Sequence, residues 1–232
     1  MSIRVIKPMQ LGLVHRTFED GPRSLLAVTV MAYFPFGRRA LLHEVPMWKL
    51  AAERLGDAPL DMGMPKTMGE LLVLGSAFAP GGAPKPGIPV RVQAGPLEQR
   101  LYVFGDRRWQ RGIPTAPEPF VEMPITWDRA YGGEGFAKNP AGRGAKEVTL
   151  DDGSTVRWLP NVEDPNHLVK APDDAPDPVG LRPMDQTVPE RAQHIGTYDA
   201  KWQKTRFPWF PEDFHWAFFN VAPASLRLDG FW

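Results

Sequence analysis

Residues 127–165 read WDRAYGGEGFAKNPAGRGAKEVTLDDGSTVRWLPNVEDP, an acid-tipped hairpin between a glycine-rich loop and a proline-rich one. Tyr131-Gly132-Gly133-Glu134-Gly135 and Asn139-Pro140-Ala141-Gly142-Arg143-Gly144 form the first loop, because glycine admits positive φ and close backbone approach. The hairpin spans Lys146 to Leu159 and turns at Asp151-Asp152-Gly153. A three-residue turn with Gly153 left-handed pairs Leu150 with Ser154 and Val148 with Val156. That register places Val148, Leu150, Val156 and Trp158 on one face. A two-residue turn would split them between faces, so the three-residue register is expected. The second loop, Leu159-Pro160-Asn161-Val162-Glu163-Asp164-Pro165, holds too many prolines for a helix or a central strand.

Outward from this hairpin the chain keeps the same character. Leu11 to Phe18 and Leu25 to Phe36 read as strands around Asp20-Gly21-Pro22. The second is apolar on both faces and is expected as a central strand covered on both sides. Pro46 to Leu55 reads as a helix, with Pro46 in its first turn and Gly56 at its end. Strands are expected at Glu70 to Ala79, Ile88 to Val92 and Leu97 to Phe104, the last two joined at Ala94-Gly95-Pro96. A further turn, Gly105 to Trp109, leads to a short strand. The proline-rich stretch Ile113 to Pro124 reads as a loop crossing the domain. Lys170 to Pro189, dominated by Pro and Asp, is either mobile or held extended. A second helix starts near Gly196-Thr197-Tyr198-Asp199 with Thr197 as N-cap, and Pro208 stops it.

Composition bounds the function classes. The chain has 232 residues, with Lys+Arg 27 against Asp+Glu 27, so no general electrostatic grip on nucleic acid is expected. There is no Cys, which excludes disulfides and thiolate metal sites. The first eight residues carry no signal-peptide apolar core, and no apolar run approaches the ~20 residues of a membrane span. Pro 26 and Gly 22 make about a fifth of the chain, while Trp 8 and Phe 13 supply a core. These facts fit one mainly β domain over residues 1–232, a sandwich or distorted barrel with long ordered loops and two or three short helices.

Candidate chemistry is sparse. His43-Glu44, Asp164 with His167 and Asp213 with His215 are the close His/carboxylate groupings, and none has a zinc-ligand spacing. No Gly-x-Ser-x-Gly elbow exists; Leu74-Gly75-Ser76-Ala77 lacks the second Gly. Gly142-Arg143-Gly144-Ala145 lacks the Lys-Ser/Thr of a phosphate-binding P-loop. Paired carboxylates with exposed aromatics would suit a carbohydrate-active or hydrolytic enzyme, which stays an alternative. The aromatic run Phe207 to Phe219 reads first as core. Where exposed, its rings would be partner anchors, with Trp202, Trp209, Phe210 and Trp216 the candidates.

Ordered blocks of the sequence carry a family resemblance. They are Ala79-Pro80-Gly81-Gly82 with Val103-Phe104-Gly105-Asp106-Arg107 and Trp109, then Pro124 and Arg129-Ala130-Tyr131-Gly132-Gly133. Asn139-Pro140, Gly142, Gly144, Leu159-Pro160-Asn161 and Glu163 follow. The last are Gly196-Thr197-Tyr198-Asp199, Trp202, Pro211, Asp213-Phe214, Phe219-Asn220 and Ala222-Pro223. Together they resemble the accessory or adaptor domain of bacterial type VI secretion clusters, from about Leu11 to Pro223.

The resemblance implies a cytoplasmic, non-enzymatic adaptor without a cofactor. Its partner would be a PAAR-like effector, which it helps load onto the VgrG spike; a structural component exported with the spike is a further alternative. No nucleic-acid or membrane partner is implied. The motif residues carried over are Asp106, Arg107, Trp109, Tyr131, Gly132, Gly133, Asn139, Asn161, Tyr198, Asp199 and Asn220. They are expected chiefly to cap turns and pair inside loops. Similar proteins often carry pentapeptide repeats, and none is expected here. The family pattern also places an aromatic near Thr187 or Val188, where this chain has none.

Overall fold

The computed structural model describes residues 12–20, 23–31, 61 and 64–229. The expected helix at Pro46 to Leu55 lies outside them.

Strands β1 (Gly12–Asp20) and β2 (Arg23–Met31) pair antiparallel from Gly12↔Met31 to Asp20↔Arg23. Among the described strands β2 is not a central one. Among the described strands it pairs with β1 alone, and Leu26 and Val28 are 44% and 48% exposed while Ala27 between them is buried. An apolar run states that a strand could be covered on both faces; it does not supply the covering layers.

The expected strand from Glu70 to Ala79 divides into β3 (Gly69–Glu70) and β4 (Ser76–Phe78). A 3-10 turn at Pro80–Gly82 follows, then β5 (Gly87–Ala94) and β6 (Leu97–Phe104). These two form the longest described hairpin after β1–β2, turning with Gly95 at φ +57°. Alternation points Ile88, Leu101 and Val103 inward, with Val90 and Val92 packed beside them. Short strands β7 (Trp109–Gln110) and β8 (Ile113–Pro114) come next. The proline-rich stretch after them also contains β9 (Glu122–Pro124), which pairs with β4 and buries Met123.

The glycine-rich loop supplies β10 (Tyr131–Gly132) and β11 (Arg143–Gly144), paired in parallel. The acid-tipped hairpin is β12 (Val148–Thr149) and β13 (Thr155–Val156), with Val148 opposite Val156 as its turn chemistry dictates. Gly153 sits at φ +81°, and Leu150 N–H donates to Ser154 O at 2.8 Å. The expected apolar face is only half covered: Val156 is buried, whereas Val148 and Leu150 are exposed. β14 (Val162–Glu163) then joins the edge of β6, giving the order β14-β6-β5. An edge position is where a proline-flanked strand can sit without breaking a ladder.

Residues 170–188 contain no strand or helix but are held: Leu181 and Met184 are buried, and Met184 N–H donates to Val221 O at 2.7 Å. Two short helices follow, α1 (Pro189–Ala192) and α2 (Ala200–Thr205). The N-cap of α2 is Asp199, not Thr197. Asp199 Oδ1 accepts from Trp202 N–H at 2.8 Å, while Thr197 Oγ1 is engaged by Asp213 at 2.7 Å. A 3-10 turn at Trp216–Phe219 leads to β15 (Arg227–Leu228), which pairs with β3.

The described strands thus form six two-stranded sheets and one of three, and they do not close into a barrel. The mainly β expectation holds; its layers are small patches around a main core. That core gathers Ile88, Leu101, Val103, Phe120, Met123, Ile125, Val162, Leu181 and Leu226. Each fully buried aliphatic side chain stabilises by about 1.5–3 kcal/mol. A smaller cluster of Tyr131, Leu159 and Val169 takes Trp109, Phe136 and Ala145 on its flank.

Candidate functional site

The motif residues divide between two places. The first is a polar knot between the two clusters' loops. Asp106, just past β6, accepts on one oxygen from Arg129 Nη1 at 3.2 Å, Arg143 Nη1 at 3.3 Å and Asn161 Nδ2 at 2.9 Å. Asn161 is fully buried and also donates to Phe104 O at 3.2 Å. Burial and the neighbouring Arg129 pull Arg143 below the usual guanidinium value, and Asp106 and Asp128 oppose that shift.

Arg107 and Glu163 form a buried ion pair, with the Arg107 guanidinium carbon 3.7 Å from the centre of the Phe104 ring. Burial pulls Arg107 down to about 10, so it stays charged at neutral pH and requires its carboxylate partner. The second Glu163 oxygen accepts from Val169 N–H at 2.7 Å. Asn139 is buried and donates to Trp127 O at 2.8 Å and Tyr131 O at 3.1 Å. A Cβ on Gly132 would overlap the Asn139 carbonyl, and its φ of +155° also disfavours a side chain. Gly133 N–H closes the loop onto Asn139 O at 3.0 Å. Trp109 lies on the rim of the smaller cluster. Asn220 accepts from Thr67 Oγ1 at 2.6 Å and donates to Met68 O at 3.3 Å. These side chains cross-link loops whose backbone groups have no ladder to bond, as expected of buried polar groups.

The second place is an aromatic layer built by residues 195–219, with an inner and an outer part. In the inner part Phe210 stacks on Phe214 at 4.2 Å, and Trp216 meets Phe210 edge-on at 5.6 Å. Phe218 and Phe219 close it from below and are buried. Phe210 and Trp216 are half-buried, as is Trp209, whose carbonyl accepts from Trp202 Nε1 at 2.8 Å. The outer part is a ridge: Tyr198 packs on Trp202 at 4.7 Å, and Trp202 meets Phe207 at 5.7 Å. Tyr198 is 49% exposed and Phe207 64%. A cleft of about 280 Å³ lies beside it, lined by Thr197, Trp202, Arg206 and Glu212 among others.

Of the four anchors expected from sequence, Trp202 belongs to the ridge and Trp209, Phe210 and Trp216 lie further in. Phe207, past the end of α2 and not among the four, completes the ridge. The His/carboxylate groupings take local duties. His167 Nδ1 lies 2.9 Å from Asp164 in an exposed pair, and His215 Nδ1 accepts from Ala217 N–H at 3.2 Å. His43-Glu44 lies outside the described residues.

Fold and site together define a mainly β, loop-rich domain with an apolar core, buried polar links between its loops and, among the described residues, an exposed aromatic ridge. The chain belongs to the bacterial family described as "Uncharacterized protein conserved in bacteria (DUF2169)", which it matches over residues 22–232. No curated protein and no solved structure matches it. Among the described residues no helix is long and apolar enough to cross a membrane.

Proposed function

We propose that this chain is a non-enzymatic adaptor of bacterial type VI secretion, acting in the cytoplasm. It binds a PAAR-like effector and assists its loading onto the VgrG spike. The observation that carries the reading is the ridge of Tyr198, Trp202 and Phe207, three rings in a row through Trp202 with the outer two well exposed. Aromatic side chains of this kind are interface anchors, because covering them removes a large apolar area at little entropic cost. The inner aromatic layer and the Asp199 cap hold the ridge in one geometry, which reduces the ordering cost of association. The sequence blocks quoted above supply the class of partner.

Co-expression with the PAAR-like protein encoded beside it, followed by size-exclusion chromatography, tests the reading. The expected outcome is a defined complex, with the effector soluble only in the presence of this chain. Tyr198→Ala with Phe207→Ala should weaken the complex by about 2 kcal/mol or more while leaving the fold intact. Trp209 and Trp216 are poorer choices for the test, since truncating packed aromatics also costs stability, about 3–5 kcal/mol when fully buried. Separate elution of two folded proteins, with VgrG present as well as absent, would remove the adaptor role.

A further inference from the structure

A cleft of about 430 Å³ opens between the β7–β8 and β12–β13 hairpins, away from every residue of the aromatic ridge. Arg108, Trp109 and Arg111 line one wall, and Ser154, Thr155 and Arg157 the other. Seven arginines elsewhere in the described residues face carboxylates: Arg91, Arg100, Arg107, Arg129, Arg143, Arg191 and Arg227. Arg108, Arg111 and Arg157 have no such partner among them. The cleft therefore sets three guanidiniums against the one carboxylate in its lining, Glu147. Asp152 at the hairpin tip is taken up locally, accepting from Ser154 N–H at 2.9 Å and Ser154 Oγ at 2.6 Å.

The three cations are not equivalent. Arg157 is fixed by carbonyls, donating from Nε to Gly144 O at 2.9 Å and from Nη2 to Pro172 O at 2.7 Å. Those bonds orient its guanidinium without neutralising it. Arg108 and Arg111 are exposed. Arg111 holds the β7–β8 turn at φ +53°, a conformation that Gly or Asn adopts more readily. Trp109 rests one side on the smaller core cluster and offers the other to the cleft.

We propose that this cleft binds an extended acidic segment of a polypeptide partner. Guanidiniums grip carboxylates through paired N–H donors, and Gln110, Ser154 and Thr155 add neutral hydrogen-bonding groups for a peptide backbone. At about 430 Å³ the space exceeds what one small anion fills and suits a few residues of an extended chain. The chain's zero net charge disfavours nucleic acid as the occupant. The proposal stands independently of the adaptor role.

Fluorescence anisotropy of a labelled hexaglutamate peptide with the full chain tests it. Hexaglutamate should bind and hexalysine should not, with affinity falling as salt rises. Arg108→Glu with Arg111→Glu should weaken binding at least about tenfold. Arg111→Gly relieves the positive-φ residue, so it should keep or raise the unfolding midpoint while still weakening the peptide. No binding by the wild-type chain, or equal binding by these folded variants, would overturn the proposal. Displacement of the peptide by inorganic phosphate at comparable concentration would also overturn it, by reassigning the cleft to small anions.

Discussion

His194 and His215 face each other with ring centres 5.3 Å apart, where α1's end meets the 3-10 turn of the aromatic layer. His215 N–H donates to His194 O at 3.0 Å, and His215 Nδ1 accepts from Ala217 N–H at 3.2 Å. Burial pulls His194 below its ordinary 6.5; His215 and Arg227 push the same way, and Glu190 opposes them. A base with a depressed pKa binds fewer protons folded than unfolded. The stability it contributes is therefore complete above pH 6.5 and lost as pH falls below that value. Urea midpoints measured from about pH 8 down to about pH 5.5 should fall for the wild-type chain. His194→Gln should flatten that fall, and His215→Asn, which can still cap the turn, should flatten it without unfolding the layer. A profile unchanged by both substitutions would mean that His194 is not the group behind the fall.

At the scale of elements, α2 depends on one cap. Asp199→Ala should cost about 1 kcal/mol in urea unfolding and loosen Tyr198 against Trp202, whereas Thr197→Ala should leave the helix start intact. The shift of the cap from Thr197 to Asp199 shows what sequence conveys and what it does not. Both residue types cap helices, but Asp213, sixteen residues on, occupies Thr197. The β12–β13 register was legible because Asp151-Asp152-Gly153 fixes it locally. The β5–β6 hairpin was legible for the same reason, through Gly95. β2 was not, because two apolar faces say nothing about which layers cover them. Arg191 gave no signal either. It is fully buried, yet its partners are the nearby Met184 O and the more distant Asp61 and Phe218 O, brought together by the fold.

For the molecule as described, the expected mainly β fold with long ordered loops and short helices holds; its sheets are small and do not close into a barrel, and polar side chains do the joining. The Asp106–Arg129–Arg143–Asn161 knot and the Arg107–Glu163 pair connect β6, the glycine-rich loop and β14. That arrangement leaves the loops ordered and frees the surface of residues 195–209 for display. The motif residues were legible as a set, and most proved to be interior links; of the exposed ridge, Trp202 alone was expected as an anchor, and Tyr198 only as a motif residue. The central claim, that this ridge is where an effector docks, is tested most directly by hydrogen–deuterium exchange of the chain alone and with its PAAR-like effector. The account predicts slowed exchange concentrated in residues 195–209. Unchanged exchange there, with protection appearing elsewhere on the chain, would contradict it.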